Sequence, residues 1–194
     1  MIFAGWRREA SLSARMQKLA QDAYAAFFDR SIQYYAAGRF AFHSGLTPVA
    51  GNLLHHAVEM CLKGALSKKG FGLKQLYKLG HGLPSIWAEY KHVAPDPGLD
   101  RFDAAVTELN KHEELRYPDR MLNQGMGSLF VLKRSHTAHI SGSAAGVPQY
   151  VLNLEDVDEL MSVVLKQDIT PPWIGKLKPE ARAVLLQEND WPLV

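Results

Sequence analysis

The chain has 194 residues, 47% hydrophobic and 22% charged, a balance that suits one soluble globular domain with a substantial core and excludes a disordered or fibrous polymer. Twenty-two basic side chains against twenty acidic ones leave a net charge of +2, so no overall field demands nucleic acid as a partner. The single cysteine, Cys61, excludes an intramolecular disulfide and a cysteine-based metal site.

In chain order, residues 1–10 read as a short lead-in. MIFAGWRREA lacks the apolar core of a secretory signal, and no apolar run approaches the ~18 residues needed to span a bilayer, so a cytoplasmic protein with no membrane partner is expected. Ser11 or Ser13 caps a helix predicted from about residue 13 to Phe42, with Met16, Leu19, Ala20, Ala23, Phe27, Ile32, Tyr35 and Ala36 on its apolar face and Gly38 ending or bending it. Thr47 and Pro48 read as an N-cap and first helical residue of a second helix that Gly70 stops. Leu53, Leu54, Val58, Cys61, Leu62, Ala65 and Leu66 repeat along it at three- and four-residue spacing, while His56, Glu59 and Lys63 form a polar line.

The segment FGLKQLYKLGHG reads as a linker. A third helix is predicted at Leu83–His92, burying Ile86, Trp87 and Tyr90, before APDPG breaks the chain. A fourth runs from Leu99 to about Leu115, and Pro118 forbids its continuation. Between residues 119 and 153 the period changes. SLFVLKR, HTAHI and QYVLN alternate or run apolar, which predicts a small hairpin or irregular lobe. Helix returns at Leu154–Gln167, with Glu155, Asp156 and Asp158 in its first turns. The tail holds a short helix at Pro179–Gln187 and packs on its own subunit or on a partner. The fold class is therefore mainly α, an up-and-down helical bundle with a small β-hairpin insert. It forms a single domain over 1–194, with its core at about 13–167, the insert at about 126–152 and the tail at 168–194.

For chemistry, adjacent His55 and His56 point to different sides of a helix and do not make the usual i, i+4 metal pair. His136 and His139 point to opposite faces of a strand. No metal or cofactor is expected. Glycine-rich phosphate loops after a strand, GxSxG and HExxH are all absent, which argues against the large nucleotide-binding and hydrolase superfamilies. One constellation holds together: Glu59 and Lys63 on the second helix, His81 in the GHGL turn, and Arg116 and Tyr117 closing the fourth helix. They are either local pairs and caps or the lining of one cleft, in which Arg116 is expected to form a bidentate pair with Glu59 and leave Lys63 the freer cation for an anionic ligand.

With AVEMCLKGALSKKG ending at Gly70, GHGL at 80–83 and RYP at 116–118, the chain resembles the HEPN superfamily, named for a nucleotide-binding domain of higher eukaryotes and prokaryotes. Members carry an E-x-x-x-K on the second helix of a bundle and a G-H-x-L opening the third. The resemblance covers about residues 13–167 and implies two branches. Many members are metal-independent ribonucleases, often toxins paired with antitoxins, that dimerise so that R-x4–6-H motifs meet in a cleft. Others lack the motif and bind nucleotides or partner proteins.

Arg134 and His139 form such a motif, although this spacing is expected by chance about once in a chain with this many arginines and histidines. Within one regular strand, residues five apart face opposite sides. The expectation is accordingly a homodimeric HEPN-like binding module for a nucleotide, RNA or antitoxin-like protein in a stress, defence or toxin–antitoxin setting. Glu59, Lys63, His81, Arg116 and Tyr117 would form its ligand site. The alternatives are a metal-independent endoribonuclease using Arg134 and His139, and a scaffold protein with no small-molecule site.

Overall fold

Most of the described elements pack on one helix, Thr47–Lys68. The computed structural model describes residues 3–94, 96–124, 127–131, 149–168, 175 and 177–191, and for 3–22, 47–48, 120–121, 124, 127–131, 149 and 167–168 the backbone alone. Its helices are α1 (Phe3–His43), α2 (Thr47–Lys68), α3 (Leu73–Lys78), α4 (Leu83–Val93), α5 (Asp103–Lys111), α6 (Pro118–Gln124), α7 (Leu154–Asp168) and α8 (Pro179–Leu186), with 3-10 turns at Pro97–Phe102 and His112–Arg116. Strands β1 (Gly127–Val131) and β2 (Gln149–Asn153) complete the described elements.

The expected helical bundle is present. Leu54, Ala57, Val58, Cys61, Leu62, Ala65 and Leu66 of α2 are buried and meet Phe28, Ile32 and Tyr35 of α1, Leu83, Ile86, Trp87 and Tyr90 of α4, and Val106 and Leu109 of α5. Val157, Leu160, Met161 and Val164 of α7 join the same core. Each fully buried side chain of this kind contributes about 1.5–3 kcal/mol relative to exposure. Gly70, at φ +98°, ends α2 in the left-handed conformation that glycine alone adopts without cost.

Several boundaries differ from the sequence reading. The first helix begins at Phe3, not near residue 13, so Ser11 and Ser13 lie inside it and not at its start. It also runs through Gly38 to His43. A Cβ at Gly38 would stand 2.8 Å from the Leu54 side chain, so this glycine serves the close approach of α1 to α2 instead of a bend. Thr47 is the first residue of α2 and Leu46 its N-cap. The predicted linker contains α3, whose Leu76 is buried. The fourth helix is shorter than expected, with α5 flanked by 3-10 turns that still bury Leu99, Phe102 and Leu115. Pro118 stops that run and opens α6, as a residue with fixed φ and no N–H can.

The insert is a correction of topology. β1 and β2 pair in parallel, Gly127 opposite Gln149 and Val131 opposite Asn153, whereas a hairpin pairs its strands antiparallel. Parallel strands require a crossover connection in place of a tight turn; the predicted strand at HTAHI falls among residues 132–148, outside the described residues.

The tail docks on its own chain. Arg39, fully buried on α1, donates through Nη1 to Asp158 of α7 and through Nη2 to the Gln187 carbonyl beyond α8. Its Nε donates to the Val184 carbonyl at 3.2 Å. Tyr35 donates its hydroxyl to Asp158 and accepts from Asn189 Nδ2 at 3.2 Å. Asp158, read from sequence as a helix-end charge, is thus an interior anion. Burial pushes its carboxyl above the usual range against the opposing pull of Arg39.

One helix contact is tight enough to test. A Cβ on Gly51 would stand 2.2 Å from His112 Nδ1, and His112 is itself buried. Alanine gains about 1 kcal/mol of helix propensity over glycine, but overpacking a fixed ring costs about 1–3 kcal/mol. Gly51→Ala is expected to lose stability by up to about 2 kcal/mol net, read as a lower urea midpoint at unchanged slope.

Candidate functional site

The polar line of α2 does not face water. Glu59 is fully buried and Lys63 only 4% exposed, so their i, i+4 pairing is an interior ion pair, with Nζ to Oε1 at 2.7 Å. Lys63 also donates to the Gly80 carbonyl at 2.6 Å. That bond and its neighbours set where the 80–83 turn lies. His55 Nε2 stands 3.1 Å from the His81 carbonyl, and the Leu83 N–H at the start of α4 donates to Asn110 Oδ1 at 2.9 Å. His81 therefore folds back onto Glu59, with Nδ1 2.9 Å from Oε1. It does not cap α4, whose N-cap is Gly82.

The other carboxylate oxygen faces α2 itself. His56 Nδ1 lies 3.3 Å from Glu59 Oε2, and His56 Nε2 lies 3.2 Å from Arg116 Nη2. A guanidinium only donates, so Nε2 accepts, the ring proton sits on Nδ1, and His56 passes a hydrogen bond from Arg116 to Glu59. Arg116 also reaches Glu113 at 3.5 Å, and Glu113 lies 3.8 Å from His55 Nε2.

Electrostatics follow from this inventory. Burial would raise the Glu59 pKa, but the hydrogen bonds from His56 and Lys63 and the charges of Lys63 and His81 outweigh it and hold the carboxyl at about 2. Burial holds the His55 imidazole below its ordinary range despite nearby Glu113. The anion is thus fixed beneath Lys63, His56 and His81.

The structure brings Glu59, Lys63, His81 and Arg116 together, with two corrections to the expected roles. Arg116 makes no bidentate pair with Glu59; His56 intervenes, because Glu59 sits too deep for an exposed arginine. Lys63 is not a free cation, since both Glu59 and the Gly80 carbonyl hold it. The solvent-facing groups are His81, 65% exposed, and Arg116, 38% exposed, with Tyr117 beside them at 62%. Arg134 and His139 lie outside the described residues.

Sequence reasoning missed His55 and Glu113. Adjacent residues on a helix diverge by about 100°, yet the rings of His55 and His56 stand 5.5 Å apart at 89°, edge to face, so adjacency did not separate them. The Glu113–Arg116 spacing was a readable signal of an i, i+3 pair.

Compared with protein-family models, curated proteins and solved structures, the chain matches none.

The site carries an acid limb. The Glu59 pKa is lower folded, about 2, than its ordinary 4.5, so its contribution is present above about pH 5 and is lost as pH falls toward 2. Glu59→Gln also leaves Lys63 buried without its counter-ion. The expected result is a loss of about 3–5 kcal/mol at pH 7 and a flatter decline of stability between pH 5 and 2, measured by urea unfolding across that range.

Proposed function

We propose that the chain is a HEPN-like binding module whose ligand carries phosphate, a nucleotide or RNA, in a stress, defence or toxin–antitoxin setting and in a homodimer. One observation carries this reading. Arg116 and His81 are exposed side chains anchored from below on Glu59, His81 directly and Arg116 through His56, while Lys63 neutralises that carboxylate from inside. A guanidinium beside imidazole edges, with the buried anion already paired, offers donors that match phosphate oxygens. Exposed Tyr117 adds a face on which a base can stack.

The ribonuclease reading rests on a different feature, the Arg134–His139 spacing, and the same preparation distinguishes the two. In fluorescence titrations with ATP and a labelled single-stranded oligoribonucleotide, Arg116→Ala is expected to weaken binding about tenfold and to make it less sensitive to salt. In EDTA, neither the wild type nor His139→Ala is expected to cleave a structured RNA. Cleavage by the wild type that His139→Ala abolishes, with its circular dichroism intact, would establish the ribonuclease instead. Absence of saturable binding to either ligand would remove the phosphate reading, and a monomer by sedimentation equilibrium at tens of micromolar would remove the dimer.

A further inference from the structure

The two oxygens of Glu59 are unequally served. Oε1 receives Lys63 at 2.7 Å and His81 at 2.9 Å, ordinary charge-assisted distances. Oε2 has the His56 ring nitrogen at 3.3 Å, long for a hydrogen bond to a buried anion. That separation suits a different relation. Two ligands on one tetrahedral zinc, with bonds of about 2.0–2.1 Å, stand roughly 3.3–3.4 Å apart.

A third donor is at hand. One ligand atom from each of His55, His56 and Glu59 lies within 4.8 Å of the other two. His55 is the residue whose chemistry fits best, because it has a carbonyl oxygen at each ring nitrogen, Leu109 at Nδ1 (3.4 Å) and His81 at Nε2 (3.1 Å). A neutral imidazole donates to only one of them. If the proton moves to Nδ1, facing Leu109, the bond from Nε2 to the His81 carbonyl is given up. The Nε2 lone pair then meets only that acceptor at 3.1 Å, a place for a cation between them, and an N–H held by a backbone carbonyl is the usual support of a metal-ligating histidine. Glu113, 3.8 Å from that Nε2, adds negative charge at the rim.

We propose that His55, His56 and Glu59 form a binding site for a divalent transition metal of the zinc type, entered past the exposed Arg116 side chain. The borderline donor set of two imidazoles and one carboxylate selects such an ion over magnesium or calcium, which take oxygen ligands. The metal takes Oε2 and leaves Lys63 on Oε1, so the carboxylate is shared between two cations on opposite sides. His56 binds through Nδ1 and carries its proton on Nε2, which no longer accepts from Arg116. That guanidinium then turns fully to Glu113, its existing neighbour at 3.5 Å. The site is separate in chemistry from the phosphate reading and stands or falls without any nucleotide.

The test is a titration of the full chain, stripped with chelator, with Zn²⁺ alone by calorimetry and with Co²⁺ followed by visible absorption. One ion per chain is expected, with the intense Co²⁺ bands of a four-coordinate nitrogen–oxygen site. His56→Ala is expected to weaken Zn²⁺ binding by at least about tenfold, while His92→Ala, at an exposed imidazole outside the cluster, leaves it unchanged, which separates this site from metal captured by an exposed imidazole. The wild type supplies a readout that needs no variant. Substoichiometric Co²⁺ should first broaden the imidazole resonances of His55 and His56 and spare those of His43 and His92. Lack of saturable binding, affinity undiminished in His56→Ala, or first broadening at other histidines overturns the proposal.

Discussion

A carboxylate buried in the middle of a helix constrains everything that packs on that helix. An ionised Glu59 with no access to water is tolerable only if each oxygen is met by a donor. α2 supplies two of these from its own turns, Lys63 and His56. The third, His81, must come from outside. The turn at residues 80–83 is drawn in to provide it, and Lys63 fixes that turn a second time through the Gly80 carbonyl. The position of α4 therefore depends on Glu59 as well as on the apolar residues of α4, and Arg116 comes to rest on the same cluster through His56.

A second interior ion pair works at a different junction. Arg39 and Asp158 hold α1 to α7, and the spare donors of Arg39 hold the carbonyls at the end of α8. Apolar contacts between helices are permissive in register, whereas a guanidinium that satisfies one carboxylate and two carbonyls accepts a single arrangement. The two clusters divide the labour. One orients the elements after α2, and the other closes the last elements onto the first helix.

The helices were legible because their apolar spacing is long and regular. α2, α4 and α7 lie close to their predicted bounds, and the residues expected inside, such as Val58, Leu62, Trp87 and Val157, are inside. Features that depend on distant partners were not legible. Gly38 has the signature of a breaker, yet its reason is a Leu54 side chain sixteen positions later, and Asp158 looked like a surface charge until Arg39 was placed against it. The direction of β2 relative to β1 left no trace in the strands' own residues, since alternation reads the same whichever way the partner runs. At the site, the chain order disclosed which residues gather but not their depth. Depth is what gives Lys63 to the interior and Arg116 to the surface.

The Arg39–Asp158 pair also has a bearing on how the chain is made. Its members lie 119 positions apart, and the carbonyls that complete the cage follow later still. During synthesis α1 and α2 leave the ribosome long before any of these groups exist, so the earliest helical hairpin carries a cation on a surface destined to be interior. That charge keeps the surface hydrated and discourages it from associating with other chains. The molecule can seal there only when α8 and the residues just after it have been made, which couples closure of the first helices to synthesis of a segment far along the chain.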